Sequence, residues 1–303
     1  MPGIRENVFL AKYTSFRIGG PAKYFFEAKT KKEIIKAVKW AKENNLPFFI
    51  LGGGSNLLVS DEGYSGLVIK LQTTNHKLQT NKIYTDAGVP LSLLISESVK
   101  NNLTGLEWAA GIPGQVGGAI RGNAGAFGKS MADIIKSVEV LMVTDRKMQN
   151  AKCKMQNDKL KFKIKKFSNR ECKFRYRDSL FRKYPDLIIL SAELSLKKGK
   201  KTEIKKKIKE YLNYRKETQP LNFPSAGSVF KNPPGFSAGK LIEKCGLKGK
   251  KIREVKISEK HANFIVNLGK GKAKDVKELI NLAKKSVKKK FGIVLEEEIQ
   301  YLP

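Results

Sequence analysis

GIPGQVGGAIRGNAGAFG, residues 111–128, is the stretch on which the reading of this chain turns. Eight glycines fall between Gly105 and Gly128, and Arg121 is the one charged side chain of 111–128. A glycine inside a regular element costs about 0.5–1 kcal/mol relative to alanine. So many in one place predict a backbone that another surface approaches closely. Pro113 stiffens a segment bracketed by Gly111 and Gly114, Gly117-Gly118 removes two adjacent side chains, and Asn123-Ala124-Gly125 repeats the device.

A second such stretch, LGGGSNLLV at 51–59, follows the apolar run FFIL. Consecutive glycines let successive N–H groups turn toward one anion, as in a backbone nest. Here Gly52, Gly53 and Gly54 would supply the backbone, with Ser55 and Asn56 as side-chain donors. The spacing is not G-x-G-x-x-G, and the lysine of a Walker loop is missing. Two glycine loops in different segments imply a long ligand, its phosphates on backbone amides and a flat ring beside them. The alternative is that both are tight turns packed on the protein itself.

Composition sets the frame. A chain of 303 residues, 41% of them hydrophobic, is long enough for two or three domains with real cores. The apolar runs fall short of a bilayer span, and the first twenty residues lack the apolar core and cleavage site of a signal peptide. Cys153, Cys172 and Cys245 are scattered and odd in number, which suits reduced thiols in the cytoplasm. With only two histidines, His76 and His261, no metal site is expected. The formal charge of +32 is mostly lysine spread along the chain. Its segments carry neither zinc-finger spacing nor paired strand aromatics, so a lysine-coated surface is expected rather than nucleic-acid binding, and no stable membrane insertion. The same field draws in small anions.

Residues 1–69 read as β-α-β. KYFFEA is strand-like, Thr30 and Glu33 form a capping box, and Ile34, Val38 and Ala41 space a buried helix face. FFIL reads as a covered strand and GLVIKL as the next. Residues 70–198 are rich in glycine and strand. LIILSAELSL alternates, with Leu190, Ala192, Leu194 and Leu196 inward and Ser191, Glu193 and Ser195 outward. The repeated KMQN at 147–150 and 154–157 reads as a polar loop or hairpin. In 199–303, one helix is expected to bury Ile204, Ile208 and Tyr211 or Leu212, and another Val276, Leu279, Ile280, Ala283 and Val287 before Gly292 stops it. IVLEEEIQYL reads as a strand with an acidic centre.

Eight ordered segments then carry a resemblance. YTSFRIGGPA (13–22), LGGGSNLLV, GLEWAAGIPGQVGGAIRGNAGAFG, YRDS (176–179), PSAGSVFKNP (224–233), AGKLIEKCGLKG (238–249), SEKHANFIVN (258–267) and FGIVLEEEI (291–299) resemble the UDP-N-acetylenolpyruvoylglucosamine reductase family over nearly the whole chain. The resemblance implies an α+β protein with a vanillyl-alcohol-oxidase-like, two-part FAD-binding fold and a C-terminal α+β substrate domain. On that reading 1–69 and 70–198 are the FAD halves and 199–303 takes the substrate. The short passage after YRDS and the IRGNAG form of the second glycine loop resemble the type without an extra tyrosine-bearing loop.

The implied reaction is NADPH-dependent reduction of UDP-N-acetylglucosamine enolpyruvate to UDP-N-acetylmuramate through bound FAD, a step of cytoplasmic peptidoglycan precursor synthesis. Charge develops at C2 and on the attached carboxylate, so a cation must face that carboxylate and a proton source must face C2. By match to the family motifs, Arg177 is the carboxylate-facing arginine, Ser228 the proton donor and Glu298 a hydrogen-bond partner or proton relay beside the enolate carboxylate. Both glycine loops would hold FAD, while Lys231, Asn232 and Arg215, with Lys216 beside it, fall to the substrate. Ser225 reads as structural, Asp178 as orienting its neighbours, and His261 as either lining the cleft or a satisfied structural histidine. Two rivals predict other behaviour: an oxygen-using flavin oxidase of the same fold, and a colourless polyanion binder with strongly salt-dependent affinity.

Overall fold

The computed structural model describes residues 1–144 and 161–303. The KMQN repeat and Cys153 lie outside the described residues. The chain forms two compact units, one of Met1–Ala28, Lys36–Leu71 and Lys206–Pro303, the other of Lys29–Ile35 and Gln72–Lys205.

In the first unit, Arg5–Phe9, Pro21–Ala28, Tyr64–Leu71 and Phe48–Leu51 lie side by side in that order. The first pair is antiparallel and the other two are parallel. The β-α-β reading holds, with Lys31–Glu43 as the helix. Thr30 Oγ1 accepts the Glu33 N–H at 3.1 Å, while the Glu33 carboxylate reaches one residue further back, to the Lys29 N–H at 2.6 Å. Ile34, Val38 and Ala41 are fully buried. Phe48–Leu51 departs from expectation. It is an edge strand, half-buried until Leu51, because its parallel neighbour covers only one side.

The rest of this unit is a four-stranded antiparallel sheet of Ser225–Ser228, Phe264–Asn267, Val255–Ile257 and Lys251–Ile252. The helices Ala238–Lys244 and Ala273–Phe291 share its core with Phe16, Ile18 and Leu58. Val276, Leu279, Ile280, Ala283 and Val287 are all buried, as their spacing predicts. Full burial of each larger aliphatic contributes about 1.5–3 kcal/mol. The helix starts on Asp61, whose carboxylate accepts the N–H groups of Ala273 (2.8 Å) and Lys274 (3.1 Å). It ends at Gly292, left-handed at φ 70°, behind three lysines that complement the helix dipole.

The acidic tail corrects the expectation of one continuous strand. Only Gln300–Leu302 is strand, parallel to Leu57–Val59. Upstream, the Lys231 N–H donates to Glu296 O and the Glu298 N–H to Val229 O, both at 2.8 Å. The segment changes partners at Gln300, whose N–H donates to Asn56 O, so no single ladder forms.

The second unit is built on a five-stranded antiparallel sheet. Its order is Lys161–Ser168, Ile135–Thr144, Leu187–Ser195, Lys82–Asp86 and His76–Gln79. Leu190, Ala192, Leu194 and Leu196 are buried as expected. Glu193 does not lie open to water. Lys82 (3.3 Å) and Lys166 (3.0 Å) close over its carboxylate and leave its side chain 9% exposed. In the Lys201–Thr218 helix, most of which belongs to the first unit, the buried face is Ile204 with Arg215, whereas Leu212 points outward, since about 3.6 residues per turn bring 204, 208, 211 and 215 to one side. Burial pushes the Cys172 thiol up to about 12, which leaves it unreactive.

Candidate active site

Ser228 ends a strand that carries one residue too many. Ser225 pairs with Val266 and Ser228 with Phe264, so three steps on one side face two on the other. Gly227 takes up the excess at φ 75°, a left-handed bulge of the kind that re-aims the next side chain. Nothing lies within 4 Å of where a Cβ on Gly227 would sit, so glycine is needed there for its φ. Ser225 is held from behind, its carbonyl accepting from Ser15 Oγ at 2.7 Å.

The strand after the bulge is locked by a residue not singled out in the sequence. The Asn263 amide pairs with both backbone groups of Phe230, accepting its N–H at 2.9 Å and donating to its carbonyl at 2.8 Å. Asn263 is 4% exposed, so this works as an extra rung of the sheet. The signal was there, an asparagine in HANF between apolar neighbours, but an amide acting as backbone has no spacing rule. His261, two residues earlier, accepts the Asn263 N–H on Nδ1 at 3.2 Å. It packs edge-on against Phe264, and burial holds its pKa below the ordinary value.

Across from Ser228, the backbone of Glu298 is tied to Val229 and its carbonyl accepts from Asn56 Nδ2 at 3.1 Å. The three glutamates differ in their partners. Glu296 pairs with Lys231, and Glu297 with Lys284 at 2.7 Å. Ser228, Glu298 and the first glycine loop are therefore neighbours in one unit. Lys231 lies beside them with its side chain 14% exposed. Asn232 Oδ1 accepts the Ala238 N–H at 3.0 Å and so starts the following helix. Arg215 is buried on its helix.

The first glycine loop is pinned on both flanks. Gly52 O accepts from Lys70 Nζ at 2.7 Å, and Gly54 O from the Ser15 N–H at 3.2 Å. Gly54 stands at φ 62°, where a Cβ would lie 2.1 Å from Tyr13 O. The protein's own backbone thus dictates Gly54, while Gly53 at the tip is exposed, with Ser55 half-buried after it.

In the second unit the twin glycines divide in the same way. A Cβ on Gly117 would meet the Ala87 Cβ at 2.9 Å, but on Gly118 it would meet nothing within 4 Å. Gly111, Pro113 and Gly118 are exposed, and Gly114 is half-buried at φ 130°. Gly125 opens a two-residue hairpin, Gly125–Ala126 against Lys129–Ser130, with left-handed Phe127 and Gly128 at its tip. Ala124 N–H closes on Ala119 O at 2.8 Å. The close approach inferred from sequence thus has two sources. Packing within the protein accounts for Gly54, Gly117 and Gly125, whereas Gly53, Gly111 and Gly118 present side-chain-free backbone to the outside. Exposed backbone on rigid flanks fits a cofactor with a diphosphate and a flat ring.

Arg177 belongs to this second unit, at the tip of a tight turn. Arg175 and Asp178 exchange backbone bonds, N–H to O, at 3.0 and 3.2 Å. Arg177 is left-handed at φ 54°, which strains a non-glycine residue, and its guanidinium lies 5.3 Å from the Tyr176 ring.

Comparison with known proteins matches residues 219–302 to the family described as UDP-N-acetylenolpyruvoylglucosamine reductase, C-terminal domain, and 22–150 to one described as FAD binding domain. A relative named UDP-N-acetylenolpyruvoylglucosamine reductase in Caldanaerobacter subterraneus subsp. tengcongensis is 44% identical over 97% of this chain and 92% of its own length. One in Clostridium novyi is 40% identical over 98% and 91%. The crystal structure of the corresponding reductase from Thermus caldophilus superposes with a TM-score of 0.79 at 38% identity, covering 99% of this chain and all of that one.

Proposed function

The chain belongs to the UDP-N-acetylenolpyruvoylglucosamine reductase family, and from that premise we propose how its own residues carry the family's reaction. It is an FAD-containing, NADPH-dependent reductase of peptidoglycan synthesis. We take its substrate to be UDP-N-acetylglucosamine enolpyruvate and its place of work to be the cytoplasm. FAD, when bound, accepts hydride from NADPH and supplies it to C3 of the enolpyruvyl group.

The loop Gly52–Asn56 and the series Gly111, Pro113, Gly114, Gly117, Gly118, Asn123, Ala124 and Gly125 would hold FAD through backbone that carries little side chain. Arg177 would grip the enolpyruvyl carboxylate. A planar guanidinium binds both oxygens at once, which a lysine cannot do. As C3 gains hydride, electron density moves to C2 and into that carboxylate, and a fixed cation stabilises it most when the charge is greatest. Ser228 would deliver the proton to C2. A hydroxyl is a weak acid, so the step needs an acceptor as basic as this carbon, and Glu298 beside it to relay charge. Lys231, Asn232 and Arg215 would complete the diphosphate and sugar contacts. The division into FAD halves 1–69 and 70–198 and a substrate domain 199–303 belongs to the same reading.

The observation that carries this proposal is the Gly227 bulge, which presents Ser228 next to Val229, the residue to which the Glu298 backbone is tied. The test is anaerobic. NADPH should bleach the yellow protein, and the enolpyruvyl UDP-sugar should restore the colour without oxygen. Protein that recolours only with oxygen would overturn the proposal in favour of an oxidase.

A further inference from the structure

The turn that carries Arg177 is held in place by side chains, and one of these has both ends of its amide committed. Asn123 is 6% exposed. Its Nδ2 donates to Arg175 O at 2.8 Å, and its Oδ1 accepts the Ala132 N–H at 3.0 Å. It stands at φ 42°, a left-handed conformation that asparagine tolerates better than most residues. Its own N–H donates to Ile120 O at 3.1 Å, at the end of the short helix that contains Gly117 and Gly118. Two further bonds brace the turn. Ser179 Oγ donates to Arg121 O at 2.7 Å, and Arg182 Nη1 to Arg177 O at 3.0 Å.

A left-handed arginine persists only where its surroundings over-determine it. Here they do, and the Asn123 amide connects the turn directly to the second glycine loop. We propose that Asn123 is a positioning residue for Arg177, fixing the guanidinium relative to the loop that faces FAD. The inference rests on the role given to Arg177 above. With its side chain spent inside the protein, what Asn123 offers the cofactor is backbone.

Two variants test this on FAD-loaded enzyme. Asn123→Gly keeps the left-handed backbone and deletes the amide. Asn123→Asp keeps size and acceptor but sets an oxygen against Arg175 O, and it carries the test if the glycine variant does not fold. Hydrogen exchange at the Asp178 amide should speed up about tenfold, the equivalent of one lost hydrogen bond. Reoxidation of reduced flavin by the enolpyruvyl substrate should slow about 10²-fold, as expected for a misplaced catalytic group. Flavin reduction by NADPH should slow far less than reoxidation by substrate, because the Asn123 amide bonds the Arg175–Asp178 turn and the Ala132 N–H, while only its backbone is offered to FAD. In an Arg177→Ala background the Asn123 changes should slow reoxidation no further. Unchanged exchange in the turn, or effects that multiply in the double variant, would overturn the assignment. Wild-type enzyme whose flavin is not reoxidised by substrate would instead overturn the functional reading, and the exchange measurement would still judge the tether.

Discussion

Asn56 donates its side-chain amide to the carbonyl of Glu298 at 3.1 Å, joining the first glycine loop to an acid 242 positions later in the chain. One part-buried hydrogen bond is worth about 0.5–1.5 kcal/mol. Asn56→Ala should lower unfolding free energy by about that much in urea titration. It should also slow substrate-dependent reoxidation, because the backbone of Glu298 loses its strut. A loss of stability with both half-reactions intact would leave the bond purely structural.

Ser228→Ala should leave flavin reduction by NADPH nearly unchanged and slow reoxidation by substrate about 10²–10⁴-fold, the range usual for a general acid. Stopped-flow absorbance separates the two steps. Equal rates in both would remove Ser228 from the proton path.

Glycine substitutions should sort by what surrounds them. Gly54→Ala forces a Cβ to 2.1 Å from Tyr13 O at positive φ, and soluble yield should collapse. Gly118→Ala meets nothing within 4 Å and lies in a helix. There alanine should stabilise the apoprotein by up to about 1 kcal/mol, yet weaken FAD retention on gel filtration. Unimpaired FAD binding in Gly118→Ala would argue that this backbone does not face the cofactor.

Gly227→Ala has room but the wrong φ, and left-handed backbone costs a non-glycine residue about 1–2 kcal/mol. Activity should fall by more than that energy predicts, because relaxing the bulge turns Ser228 away. Parallel denaturation and rate measurements would separate the two effects.

His261 makes stability depend on pH. Burial holds its pKa below 6.5, so near and just under that pH the unfolded chain binds more protons than the folded one. The stabilisation is therefore complete above pH 6.5 and is lost as pH falls through the lower folded value. Thermal melts of wild type and His261→Gln should diverge above pH 6.5 and converge in mild acid. Parallel curves would rule out this linkage.

Much of this was legible beforehand because it follows from periodicity. The Val276–Val287 face, the inward side of Leu187–Ser195 and the Thr30 cap obey spacing rules and hold in the structure. What escaped depends on distant partners. The run Glu296-Glu297-Glu298 is uniform as a sequence, and its members are told apart by distant partners such as Lys231 and Lys284. Asp61 and Asn263 do the work of backbone for segments far along the chain, and no local pattern marks them. Glycine counting located both loops, but it took neighbouring atoms to separate Gly117 from Gly118.

The parallel pairing of Leu57–Val59 with Gln300–Leu302 has a consequence for biosynthesis. The loop at 52–56 is translated more than two hundred residues before the strand that steadies it. Flavin loading should therefore be a post-translational event, and a nascent chain arrested before residue 298 should leave the exit tunnel without colour.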